Sequence, residues 1–218
     1  MTIKNGERLV RELLADPQKF SDGGRAYQLL EAFFAGLPIE TLRPLLASNN
    51  QLVQRAGAFV ASELGSQGRD LVDDVIPLLQ SPDRHVQHYA MEVLAVCCEG
   101  HHAGKFAHVV RMLESGDRGI RLEAMELMSK ADPSQIEAAE HLFKAADQND
   151  QVHRNGLRTL IGSEGGADVA SAKEMIDSDD PLVRRYGAIA AKRLARLRPE
   201  LMRLLSVADD PDLRDFSK

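Results

Sequence analysis

Apolar residues recur along the chain with helical spacing, and the recurrence itself repeats. Six segments open on Asn or Asp and place an aliphatic residue three positions later. They are Asn50 with Val53, Asp83 with Val86, Asp117 with Ile120, Asn149 with Val152, Asp180 with Val183 and Asp210 with Leu213. Successive aliphatic positions lie 33, 34, 32, 31 and 30 residues apart, a period that marks a repeat array. Each Asn or Asp stands where a helix needs an N-cap, its side-chain oxygen accepting from the first unpaired backbone N–H groups. Four residues past the first five aliphatic positions the residue is small: Gly57, Ala90, Ala124, Gly156 and Gly187. Glycine inside a helix costs about 0.8–1 kcal/mol relative to alanine. Three glycines at one repeat position therefore predict close helix-to-helix contact.

A second amphipathic stretch precedes each cap. Leu42-Arg43-Pro44-Leu45-Leu46-Ala47-Ser48 is repeated by residues 75–81 and, with Arg111 for the proline, by residues 109–115. Later copies around residues 172–178 and 201–206 keep the apolar spacing and lose the proline. No window sustains the period-two alternation of a strand. The predicted unit is two helices joined by a short polar turn, and the predicted fold class is all α. Residues 1–38 read as N-terminal capping helices over residues 6–15 and 25–35, with a flexible turn at Ser21-Asp22-Gly23-Gly24 between them. Phe20, Phe33 and Phe34 are expected to cover the open end of the core. Residues 39–208 hold five repeats and 209–218 a truncated unit, all in one domain without a linker.

This pattern resembles a HEAT-like repeat, of the short kind also found in bacterial phycobilisome-lyase-type proteins. Pro44 and Pro77 match the first-helix proline of that pattern, and the Asn and Asp caps match its turn aspartate. Arg121, Arg184 and Arg214 match the arginine after its second-helix valine. Gln54, Gln87 and His153 depart from it, so the Asp–Arg ladder of the family should be broken there. The resemblance covers residues 39–218. It implies a right-handed α-solenoid of about six helical pairs, with the helices starting near residues 50, 83, 117, 149 and 180 on its concave side.

Charge narrows the function classes. Lys plus Arg is 27 against 33 Asp plus Glu, a net −6, and phosphate binding needs a clustered surplus of cations. A narrow basic stripe of Arg55, His88, Arg154 and Arg185 leaves a nucleic-acid-binding or alkylpurine-glycosylase-like protein as an alternative, although Trp is absent and aromatics are 5%. Two cysteines, Cys97 and Cys98, make no disulfide framework, and no run of eighteen apolar residues occurs. The expectation is a cytoplasmic protein that neither enters nor crosses a membrane.

Candidate chemistry is sparse. There is no G-x-S-x-G, phosphate loop, H-E-x-x-H or paired C-x-x-C. Cys97-Cys98-Glu99-Gly100-His101-His102, with His85 and His88, carries good zinc or copper ligands. Adjacent cysteines diverge by about 100° on a helix, so a buried thiol followed by an exposed turn is preferred and no metal is assigned. Glu92 and Glu126 occupy equivalent repeat positions but lack an orienting base. Gly162 to Gly166 reads as a loop. The expectation is a protein without enzymatic activity and without a cofactor.

One strip departs from that bland picture. Positions +5 and +6 past the repeat aliphatic should turn to solvent, yet they carry Ala58 with Phe59, Met91, Met125, Leu157, and Ala188 with Ile189. Arg55, Ser62, His88, Glu92, Glu126 and Arg158 flank them. An apolar strip with a charged rim has the anatomy of a protein-binding surface. Superhelix curvature burying +5 against the next repeat is the alternative. The preferred function is a non-enzymatic protein-binding module using the concave groove, most specifically an immunity or inhibitor protein that neutralises a cognate bacterial toxin. That partner would have a basic edge, and the chain would be a monomer or weak homodimer. A general assembly scaffold and a bilin-lyase-type chaperone are the alternatives.

Overall fold

The computed structural model describes residues 3–143, 147–162 and 169–218, mostly helix joined by short turns, with no strand among them. The fold is all α, a succession of helical pairs of the α-solenoid class. Among the described residues no helix is long and apolar enough to cross a membrane. The chain divides into two compact units, Met1–Cys97 and Cys98–Lys218.

The N-terminal unit contains α1 (Ile3–Ala15), α2 (Pro17–Asp22), α3 (Ala26–Phe34), α4 (Arg43–Leu46), α5 (Gln51–Glu63), α6 (Val72–Val75) and α7 (Arg84–Cys97). Asp16 caps α2 by accepting from the Lys19 N–H at 3.1 Å, and Pro17 fills the first turn, where a missing N–H costs nothing. Ser21 and Asp22 thus belong to a helix, and the turn runs over Gly23, Gly24 and Arg25, with Gly24 at φ 61°. Such left-handed backbone favours glycine. The first helix of each pair is broken into short pieces. α4 follows a 3₁₀ turn over Ile39–Leu42, and α6 lies between 3₁₀ turns over Gly65–Leu71 and Ile76–Gln80. Pro44 and Pro77 each sit in the first turn of a piece, since proline cannot continue the hydrogen-bond ladder of a preceding turn. α5 packs against α3, α4 and α7 over a core of Leu13, Leu29, Leu45, Val60, Val86 and Leu94. Phe20 and Phe33 are buried as expected, but Phe34 is 57% exposed. Adjacent helix positions diverge by about 100°, so both could not face one core.

The C-terminal unit contains α8 (Ala107–Arg111), α9 (Arg118–Lys130), α10 (Pro133–Glu140), α11 (Gln148–Gly162), α12 (Val169–Ile176), α13 (Pro181–Leu194), α14 (Pro199–Val207) and α15 (Pro211–Phe216). α13 packs against α9, α11, α12, α14 and α15, so its buried residues (Leu182, Tyr186, Gly187, Ala188, Ile189, Ala190, Ala191, Leu194) surround the helix. The loop expected at Gly162 to Gly166 lies outside the described residues beyond Gly162, the last residue of α11.

Five of the six expected caps form. Asn50, Asp83, Asp117, Asp180 and Asp210 accept from backbone N–H groups two or three residues on, at 2.8–3.3 Å. The sixth is displaced by two residues. Asp147 accepts from the N–H groups of Asn149 (2.8 Å) and Asp150 (3.1 Å), which places Asn149 inside α11. The register shifts with it, and His153 is buried where Val152 was expected. The three repeat glycines mark close approaches. A β-carbon on Gly57 would stand 2.9 Å from Leu45 Cβ, one on Gly187 2.7 Å from the Ile176 nitrogen, and one on Gly156 2.3 Å from the Tyr186 ring.

Candidate functional site

The expected outward strip is core. Met91, Met125, Leu157, Ala188 and Ile189 have 0% exposure, and Ala58 is buried as well. The reason is packing on more than one face. α7 is held between α5, α6 and the 3₁₀ turns around α6, while α9 and α11 both press on α13. Packing against neighbouring helices, the alternative to a docking strip, is what buries position +5.

The residues that flanked the strip remain at or near the surface and are engaged within their own units. Ser62 Oγ donates to the Phe59 carbonyl at 2.9 Å, and His88 Nε2 lies 3.5 Å from Glu92 Oε2. Glu126 pairs with Lys130 at 2.8 Å and Lys192 at 2.7 Å. Burial alone would raise the Glu126 carboxyl, but the two lysines hold it below its ordinary range. Arg154 and Arg158 both donate to the buried Glu140 carboxylate, at 2.7 and 2.8 Å. The basic stripe is therefore matched by acids: Arg55 by Asp83, Arg154 by Glu140, and Arg185 by Asp212 at 3.3 Å.

Phe59 alone among the strip's large apolar residues reaches the surface, and it does so in company. In the N-terminal unit its ring lies edge-on to Tyr27 (centroids 5.1 Å, planes 74° apart) and to Tyr89 (5.6 Å, 68°). The three rings come from α3, α5 and α7 and line a cleft of about 260 Å³ together with Leu13, Pro17, Phe20, Leu52 and Ala56. Tyr27 is 66% exposed. Burial and the nearby Glu92 carboxylate push the Tyr89 phenol up, so its hydroxyl is a donor at neutral pH. Edge-to-face aromatic pairs contribute about 0.5–1.5 kcal/mol beyond their area, which fixes the walls before anything binds. Ligand pockets for small molecules commonly span about 300–1,000 Å³. This cleft lies just below that range and suits one or two side chains of a partner.

Two cations complete the lining and no carboxylate does. Arg55 Nε donates to Asp83 Oδ2 at 2.7 Å, and its Nη2 approaches the same oxygen at 2.6 Å. The guanidinium is 45% exposed above an aspartate exposed only 4%. Arg25 pairs with Glu12 at 2.6 Å and rests over the Phe20 ring at 5.6 Å. The Asp–Arg ladder thus continues at a position where Gln54 was expected to break it, because Arg55 takes the rung. Gln54 and Gln87 turn to the loop carbonyls of Leu46 and Ser81 instead. Where the expected arginine is present, Arg184 reaches Asp210 at 2.8 Å, and Arg121 reaches Asp212.

Two further polar clusters occupy the C-terminal unit. His153 is wholly buried, with Nδ1 2.8 Å from Tyr186 Oη and Nε2 2.8 Å from Glu114 Oε1. Asp212, 3% exposed, accepts from Arg121 (2.8 and 3.1 Å), Arg118 (3.1 Å) and Arg185 (3.3 Å). Burial would raise that carboxyl, and the arginines bring it below its ordinary range. His153 and Asp212 are themselves enclosed, while Glu114 and Arg118 carry the two clusters to the surface. Of the cysteine–histidine run, Cys97 and Cys98 are buried, the Cys97 thiol donates to the Gly65 carbonyl at 3.3 Å, and the rings of His101 and His102 lie 3.8 Å apart, tilted by 44°.

Sequence reasoning chose Phe59 and missed Tyr27 and Tyr89. Their signal was available, because the three aromatics lie 32 and 30 residues apart, on the repeat period itself.

No family profile matches this chain, and no curated protein matches it. Among solved structures, an engineered protein from the Northeast Structural Genomics Consortium is similar at TM-score 0.51 and 19% identity, covering 97% of this chain and 66% of that one. A second engineered protein from the same consortium gives TM-score 0.42 and 19% identity over 82% of this chain and 93% of that one. An archaeal HEAT-like repeats protein from Thermococcus onnurineus NA1 gives 0.49 and 16% identity over 95% and 94%. At these identities the likeness is one of fold.

Proposed function

We propose that this chain is a non-enzymatic HEAT-like repeat protein that binds another protein, and that the binding site is the aromatic cleft of the N-terminal unit. The observation that carries this reading is the trio of Tyr27, Phe59 and Tyr89, held edge-to-face in a cleft of about 260 Å³ with Arg25 and Arg55 in its lining. Aromatic anchors beside arginine are the residues in which interface energy concentrates. The rest of the expected basic stripe gives no support to a nucleic-acid role, because Arg154 and Arg185 are held by the carboxylates of Glu140 and Asp212. Within protein binding, the finer reading is an immunity or inhibitor protein that neutralises a bacterial toxin, with an assembly scaffold as its alternative.

The test is capture by the tagged full chain from lysates with and without nuclease. The reading expects one stoichiometric protein, retained after nuclease and lost with Phe59→Ala. If that protein arrests growth when expressed alone and ceases to do so with this chain present, the inhibitor reading stands; a harmless partner supports a scaffold. Capture that disappears with nuclease contradicts protein binding altogether.

A further inference from the structure

At the cleft the cationic member of each ion pair forms the lining, although the chain as a whole is acidic. The whole sequence carries a net −6, yet among the described residues the ionised side chains lining the cleft are Arg25 and Arg55. Their counter-ions lie beneath or behind them. Asp83, under Arg55, is 4% exposed and also caps α7 through the His85 N–H at 2.9 Å. Glu12 pairs with Arg25 from α1 and does not line the cleft. A guanidinium has five donors in a planar fork, and Arg55 directs Nε and Nη2 at a single aspartate oxygen. Charges farther off than about 8–10 Å are screened at physiological salt, so an incoming group senses the two guanidiniums, the carboxylates paired to them and Glu92 near Tyr89, with the guanidiniums lining the cleft itself.

The walls select for an aromatic side chain and the rim for an anion. Resting on the reading that the cleft binds protein, we propose that its occupant is a partner segment in which an aromatic residue is flanked by Asp or Glu. The aromatic ring stacks among Tyr27, Phe59 and Tyr89. A neighbouring carboxylate takes the outward N–H groups of Arg55 or Arg25, with the Tyr89 hydroxyl as a further donor. Charge-assisted bonds of this kind are about twice as strong as neutral ones, and the rigid fork gives them direction.

The experiment is selection of a displayed peptide library, nine residues long with tryptophan fixed at the centre and all other positions random, on the full chain and on Phe59→Ala. The proposal expects Asp and Glu to be enriched beside the tryptophan on the wild type, and that enrichment to vanish on Phe59→Ala. Because this chain has no tryptophan, emission from a selected peptide then reports its affinity without background. Arg55→Gln should weaken it about tenfold or more, as loss of one hydrogen bond to a charged group does. Should Arg55→Gln lower the melting temperature by uncovering Asp83, Arg25→Gln gives the same readout above a partly exposed Glu12. Phe59-dependent peptides flanked by Lys or Arg, or without charge bias, would overturn the acidic partner while leaving the protein-binding reading intact. So would affinity unchanged in both arginine variants. No Phe59-dependent selection at all would overturn both.

Discussion

At Gly156 the ring of Tyr186 occupies the space a side chain would need, 2.3 Å from where a β-carbon would stand. That ring reaches its place because its hydroxyl bonds His153 and the imidazole continues to Glu114. Gly156→Ala should therefore destabilise the chain by about 1–3 kcal/mol, the usual cost of overpacking, despite alanine being the better helix former. A thermal melt checks it, and an unchanged or raised Tm would contradict the contact. The same triad sets a pH dependence. In the neutral imidazole that burial favours, His153 Nε2–H donates to the Glu114 carboxylate and Nδ1 accepts from the Tyr186 hydroxyl. Burial, opposed by Glu114, holds its pKa below the ordinary histidine value. The unfolded chain takes up the proton first as pH falls past about 6.5, so stability is lost as pH drops through that window. Urea midpoints at pH 7.5 and 5.5 should differ, and the non-titrating His153→Gln should lessen the difference.

At the scale of the element, the helices were legible where local chemistry decides and illegible where neighbours decide. Five N-caps and three close-approach glycines could be read because each rests on a few adjacent residues. The fourth cap could not. Asp147-Gln148-Asn149-Asp150 offers several residues able to cap α11, and only the burial of His153 beneath Tyr186 and Glu114 selects Asp147. Periodicity predicts one buried face, and it missed that α7, α9, α11 and α13 are covered on more than one side. Met91→Glu consequently becomes a folding variant. With the side chain wholly enclosed, an unpaired carboxylate there should abolish the cooperative melt, much as Val86→Asp should. A well-folded Met91→Glu protein would mean that the strip is open after all. One buried carboxylate gathers the arginines that tie the short helix α15 to its neighbours. Asp212 takes bonds from Arg118 and Arg121 of α9 and Arg185 of α13, and removing a buried partner typically costs about 3–5 kcal/mol. Asp212→Ala should release α15 from α9, seen as faster amide hydrogen exchange confined at first to those two helices.

For the whole molecule, sequence patterning read the architecture better than the site. Period, caps and alternation suffice for an all-α succession of helical pairs, because every unit repeats the same local rules. The cleft is built differently. One member, Phe59, was visible as an apolar residue on an outward face, but its partners come from helices about one period before and after. Only packing shows that Tyr27 and Tyr89 meet it while Met91 is swallowed by the core. The charge of the site was equally hidden, since a net −6 says nothing of which member of each ion pair faces outward. The central claim is that a surface-reaching aromatic trio in the N-terminal unit, and not a groove along all the repeats, engages a protein partner. The most direct test is to compare wild type and Phe59→Ala for both melting temperature and nuclease-resistant capture of a single protein. The account predicts a Tm lowered by about 2–4 °C, as a cost near 1 kcal/mol would give in a chain of this size, together with loss of capture. Capture undiminished in a folded Phe59→Ala protein would contradict it.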